Sequence, residues 1–199
     1  MLEASHPMAP FALGFVLGLR HALDSDHLAA MATIVSRERG VLRSAILGGW
    51  WGLGHTSSLL VGGAAVSLLG APIPESWTRW FELGVAAMLV VLGALAIWSR
   101  HGAPARPTRS RPFTVGVVHG LAGTSAAVLL LAATAGSPWR GMLTILWFGL
   151  GSVVGMMAMS AAFSLPLALS AGRIAPRAIR ILAGLGSIAF GVYCAYQAA

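Results

Sequence analysis

Six stretches of about twenty or more predominantly apolar residues constrain this chain more than any single motif. They run roughly 9–35, 43–70, 77–99, 113–135, 139–171 and 177–197. A helix rises about 1.5 Å per residue, so each stretch is long enough to cross the hydrocarbon core of a bilayer. Lipid offers no partner to a peptide N–H or C=O, so such segments must satisfy their backbones internally. The expectation is an all-α, polytopic membrane protein with six transmembrane helices. Composition agrees: 57% of the 199 residues are hydrophobic and 10% charged, against about 25% charged in a soluble domain.

All thirteen basic residues are arginines. Without lysine there is no Walker A phosphate loop, whose lysine reaches the nucleotide phosphates. The net charge of +7 does not form a nucleic-acid surface, because the arginines fall between the apolar stretches. Arg37, Arg39 and Arg43 form one group, Arg100, Arg106, Arg109 and Arg111 a second, and Arg173, Arg177 and Arg180 a third; the alternate connections hold Arg79 and Arg140. By the positive-inside rule the three rich connections are cytoplasmic and both termini lie outside, across a cell inner (plasma) membrane. The first residues lack the basic start of a secretory signal, and the single cysteine, Cys194, forms no internal disulfide. Trp77, Trp80, Trp98 and Trp139 stand near span ends, as aromatic belts do. Arg79 and Glu82, three residues apart, read as an interfacial pair. Pro166, inside the fifth stretch, predicts a kink or an early end.

The Pro- and Arg-rich segment 101–112 is a basic cytoplasmic linker between 1–100 and 113–199. The two halves resemble each other weakly. Gly14–Leu19 aligns with Gly116–Leu121, and Trp51–His55 with Phe148–Ser152. Three spans per copy would run the second copy through the membrane in the opposite sense. Inverted three-helix repeats of this kind characterise secondary transporters, which bind their substrate where the halves meet. Glycines spaced by four, as at Gly14/Gly18 and Gly151/Gly155, let membrane helices approach closely.

Inside the first stretch lies the cluster His21-Ala22-Leu23-Asp24-Ser25-Asp26-His27, which holds both aspartates of the chain. An aspartate at a helix centre in the membrane costs about 2.5–3.5 kcal/mol, so ionisable groups there are functional candidates. Imidazoles with a carboxylate suit a divalent transition metal. On a continuous helix His21, Asp24, His27 and Met31 share one face, while Asp26 points elsewhere, so either the helix is distorted or Asp26 serves another neighbour. Arg20 is placed to pair with Asp24, which would keep that carboxylate off the metal. His55, in the middle of the second stretch, can meet His21 near mid-membrane. Met31 is most simply core, and Thr56 and His119 most simply bond neighbouring helices. With Asp24, these three are also candidates for lining a pathway.

Arg20-His21-Ala22-Leu23-Asp24-Ser25-Asp26-His27-Leu28 closely resembles the signature of the nickel/cobalt transporter family: a histidine, four residues, then Asp-His, preceded by arginine. Leu53-Gly54-His55-Thr56-Ser57 is similar to that family's second signature. The resemblance implies that His21, Asp26, His27 and His55 handle the metal. It is close over about the first sixty residues. Longer members have eight spans and acidic motifs in their second half, whereas this chain has no acidic residue after Glu82. It is more similar to the shorter branch of permeases associated with urease or hydrogenase maturation, which Gly120-Leu121-Ala122-Gly123-Thr124 also resembles.

The expected function is uptake of Ni²⁺, or of Co²⁺, driven by the membrane potential, with the ion as cargo and no resident cofactor. Two alternatives remain: metal efflux, and a non-transporting accessory subunit that delivers metal. An intramembrane zinc enzyme is disfavoured, since no His-Glu-x-x-His arrangement is present.

Overall fold

The computed structural model describes residues 8–36, 38–69, 74–98, 109–122, 137–169 and 176–199. Among the described residues there are seven helices and no strand: α1 (Ala9–His21), α2 (Ser25–Val35), α3 (Val41–Leu69), α4 (Glu75–Trp98), α5 (Ser110–Ala122), α6 (Pro138–Leu169) and α7 (Pro176–Ala198). The all-helical expectation holds. Positions 101–108 of the linker and 123–135 of the fourth stretch lie outside the described residues, and α5 already begins at the linker's end.

Among the described residues, three helices are long and apolar enough to cross a membrane: 76–98, 138–169 and 177–198. The tryptophans at their ends, Trp77, Trp80, Trp98 and Trp139, are all strongly exposed. The first and second stretches depart from that simple form for different reasons. The first is not one helix but two, broken over Ala22–Asp24. The second, α3, spans 29 residues but carries Ser44, His55, Thr56 and Ser58, all buried. These polar groups are turned into protein, where α3 packs against both α5 and α6. The Ser58 hydroxyl donates to the Val117 carbonyl of α5 (2.8 Å) and the Thr56 hydroxyl to the Gly149 carbonyl of α6 (3.2 Å). Pro166 does not end its helix at once: α6 continues three residues beyond it, to Leu169.

Packing crosses between the two halves of the sequence. Besides α3 with α5 and α6, α1 lies along α6, and α4 along α7. Glycine makes two of these approaches possible. A Cβ on Gly18 would overlap the Phe148 carbonyl and the Ser152 nitrogen of α6. A Cβ on Gly116 would overlap the Trp51 carbonyl and the His55 nitrogen of α3. Gly18 thus sits against Phe148 and Ser152 of α6, and Gly116 against Trp51 and His55 of α3. Ala22, Ala30, Met31, Val35, Trp51, Val85, Leu89 and Met156 form the main buried apolar cluster beneath the break. Arg79 donates to the backbone oxygen of Ala199 (2.6 Å) rather than pairing with Glu82.

Candidate metal centre

The break between α1 and α2 builds the site. After His21 the chain tightens, with the amide of Leu23 bonded to the Arg20 carbonyl (2.9 Å) and that of Asp24 to the His21 carbonyl (3.0 Å). Asp24 then turns to an extended conformation (φ −64°, ψ 146°), and its carbonyl accepts from Leu28 to start α2. A serine–aspartate pair favours this restart, since short polar side chains are at home at helix N-termini. His21 is thus the last residue of α1, where helix carbonyls present partial negative charge favourable to a cation. Asp26 occupies the first turn of α2, where an anion is favoured. Its Oδ1 accepts from the backbone amide of His27 at 2.9 Å.

The break also re-aims the side chains. The His21 Nδ1 meets Asp24 Oδ2 at 2.8 Å, so Asp24 pairs with His21 and not with Arg20. The His27 Nδ1 meets Asp26 Oδ1 at 3.0 Å. A carboxylate on Nδ1 fixes the tautomer with its proton there and leaves Nε2 as a ligating lone pair. Those Nε2 atoms face the cluster: His21 Nε2 lies 3.2 Å from His55 Nε2, and His27 Nε2 is buried with no hydrogen-bond partner among the described residues. Ring centroids separate by 4.4 Å for His21 and His27, 5.1 Å for His21 and His55, and 5.2 Å for His27 and His55. One ligand atom from each of these three histidines falls within 4.8 Å of the other two. Phe148 and Trp51 wall the cluster, with ring centroids 5.2 Å from His21 and 5.4 Å from His27. His27 and His55 are fully buried, Asp26 is one-third exposed, and Asp24 is half exposed.

His119, from α5 in the other half of the chain, joins this group. Its Nε2 approaches the free Oδ2 of Asp26 at 2.8 Å, and its ring centroid is 4.1 Å from that of His27. Asp26, His27 and His119 form a second set whose ligand atoms lie within 4.8 Å of one another. Of the other pathway candidates, Met31 sits in the apolar cluster, and Thr56 is occupied by its interhelical bond to Gly149. The approach of His119 to Asp26 was not foreseen from sequence. A usable signal was there, since Gly18-Leu19-Arg20-His21 and Gly116-Val117-Val118-His119 share a Gly-x-x-His spacing.

Comparison with known proteins gives a consistent picture. The chain is 36% identical over 204 residues to the urease accessory protein UreH of Bacillus sp. (strain TB-90), covering 93% of this chain and 90% of that protein. It is 33% identical over 85 residues to the high-affinity nickel transport protein of Cupriavidus necator, covering 42% of this chain and 23% of that one. Residues 93–193 match the family described as the cytochrome c biogenesis protein transmembrane region. No solved structure matches the chain. With a full-length relative at this identity and membrane-length helices in place, the chain is a membrane protein of the family that contains UreH, and its second half carries the cytochrome c biogenesis transmembrane region.

Proposed function

We propose that this chain is a secondary transporter that takes up Ni²⁺, with Co²⁺ as a second substrate, across the inner membrane. One observation carries the reading: imidazoles from three separate helices, α1, α2 and α3, converge within ligand distance in a buried pocket. Imidazole suits nickel and its neighbours, and metal sites in helical proteins are built in this way, from facing helices. The relative named as a nickel transport protein supports the choice of metal. In this reading the ion sheds water onto His21, His27 and His55, while Asp26 offsets its charge. The chain crosses the membrane six times, as two inverted three-helix repeats over 1–100 and 113–199 joined by the basic linker 101–112. The broken first span is the kind of discontinuous helix that such transporters place at their binding sites. Both termini lie outside, and the membrane potential drives entry.

A second reading, delivery of metal to a partner without transport, is favoured by the accessory name of the full-length relative. Radiolabelled nickel uptake into proteoliposomes separates the two. Saturable uptake by the wild type, at least tenfold lower in His27→Ala and severalfold lower in Asp26→Asn, is the expected result. Tight nickel binding with no flux would establish the delivery reading instead. Lower nickel accumulation in cells expressing the protein would mean efflux.

A further inference from the structure

His27 belongs to both ligand sets, and its two ring nitrogens are in different situations. Its Nε2 is unpartnered and its ring stands between those of His21 and His119, at 4.4 and 4.1 Å. Its Nδ1 is held by Asp26, whose other oxygen is held by His119. Metal–nitrogen bonds of about 2.0–2.1 Å place ligand atoms of one ion roughly 3 Å apart. The donor–donor separations here are 3.2 Å for His21 and His55, 3.0 Å for His27 and Asp26, and 2.8 Å for His119 and Asp26. Each set thus contains donors already at such a spacing, and all three donors of each lie within 4.8 Å of one another.

The helices explain why there are two. Gly18 and Gly116 make matching close approaches to α6 and α3, and each is followed three residues later by a histidine. His119 therefore holds on α5 the place that His21 holds on α1. The two flank His27 from opposite halves of the chain. His119 is buried at 1% exposure, and its Nδ1 has no partner among the described residues. A histidine kept for hydrogen bonding alone gains nothing from a second buried nitrogen left unsatisfied.

We propose that a divalent cation occupies two overlapping positions, the first on His21, His27 and His55 and the second on Asp26, His27 and His119, with His27 common to both. His119 is then a metal ligand. A single ion is held at a time, because both positions need His27 and two dications this close repel strongly. Passage between them requires the ring protons of His27 and His119 to move to their other nitrogens, which changes no net charge. The positions deepen the transport reading given above and rest on it for their role, but not for their existence.

The test uses the full chain, titrated with Co²⁺ in nanodiscs and reconstituted in liposomes for nickel uptake. The visible bands of Co²⁺ report its ligands. His119→Gln keeps an N–H for the Asp26 carboxylate but is a poor metal ligand, so a purely hydrogen-bonding His119 leaves uptake near wild type. The proposal expects at least tenfold slower uptake in His119→Gln. It also expects His55→Ala to retain a one-to-one Co²⁺ complex that the His55→Ala/His119→Gln pair loses. Uptake by His119→Gln within twofold of wild type, or no Co²⁺ complex in a monodisperse His55→Ala, overturns it. If the Co²⁺ results hold while wild type moves no nickel, the two positions stand and the transport reading falls.

Discussion

Two carboxylates do different work around the same pocket. Asp26 touches His27 and His119 from inside the cluster, whereas Asp24 touches His21 from its open side. Asp24 is thus an orienting partner, fixing which nitrogen His21 presents, and loss of such a partner costs about 10–100-fold in metal affinity. Because Asp24 is half exposed, water can replace part of its role, so Asp24→Asn belongs at the weaker end of that range. Isothermal titration with Ni²⁺ should show about tenfold weaker binding in Asp24→Asn, against loss of binding in His27→Ala. At this scale much was legible. The residue types and the His-x₄-Asp-His spacing singled out His21, Asp26 and His27; the structure brings His21 and His27 to His55, and Asp26 to His27 and His119. The place of His119 was missed: its Gly-x-x-His spacing repeats that of Gly18 and His21, but taken alone a histidine on a glycine-rich helix has the same sequence signature whether it bonds a neighbour or faces a pocket.

Glycine decides how close the helices come, and therefore whether ligands on different helices can share an ion. Gly18 has backbone on its facing side, whereas Gly84 has nothing within 4 Å of an added Cβ. Overpacking a tight contact costs about 1–3 kcal/mol, and a clash with backbone belongs at the upper end. Replacing glycine by alanine where there is room in a helix gains about 0.5–1 kcal/mol. Thermal unfolding in detergent should therefore place Gly18→Ala clearly below wild type and Gly84→Ala at or slightly above it. The helices themselves were readable from apolar length: α4 and α7 fall within two residues of the stretches seen in sequence. The break in the first stretch was read only as one of two alternatives, a distorted helix that would account for the direction of Asp26. Hydropathy averages over Ala22-Leu23-Asp24, and what ends α1 there is the local turn and the extended conformation of Asp24. Gly14 and Gly18 are equally good small residues, and the packing on α6 distinguishes them.

The whole molecule, read as a permease, needs no nucleotide. A potential of about 100 mV, negative inside, is worth ~2.3 kcal/mol per charge and so ~4.6 kcal/mol for a dication. At about 1.36 kcal/mol per factor of ten, that supports more than a thousandfold accumulation. Nickel uptake into ATP-free liposomes should rise with an imposed inside-negative potassium diffusion potential and collapse towards equal concentrations when an ionophore removes it. Uptake indifferent to the potential would exclude this driving force. The break over Ala22–Asp24 matters on this scale too. α1 lies along α6, while α2 packs against α4, α6 and α7, so His21 and His27 are carried by helices with different sets of neighbours, joined through Ala22–Asp24. In the permease reading, tilting α2 against α1 about Ala22–Asp24 would part His21 from His27 and so loosen the hold on the ion.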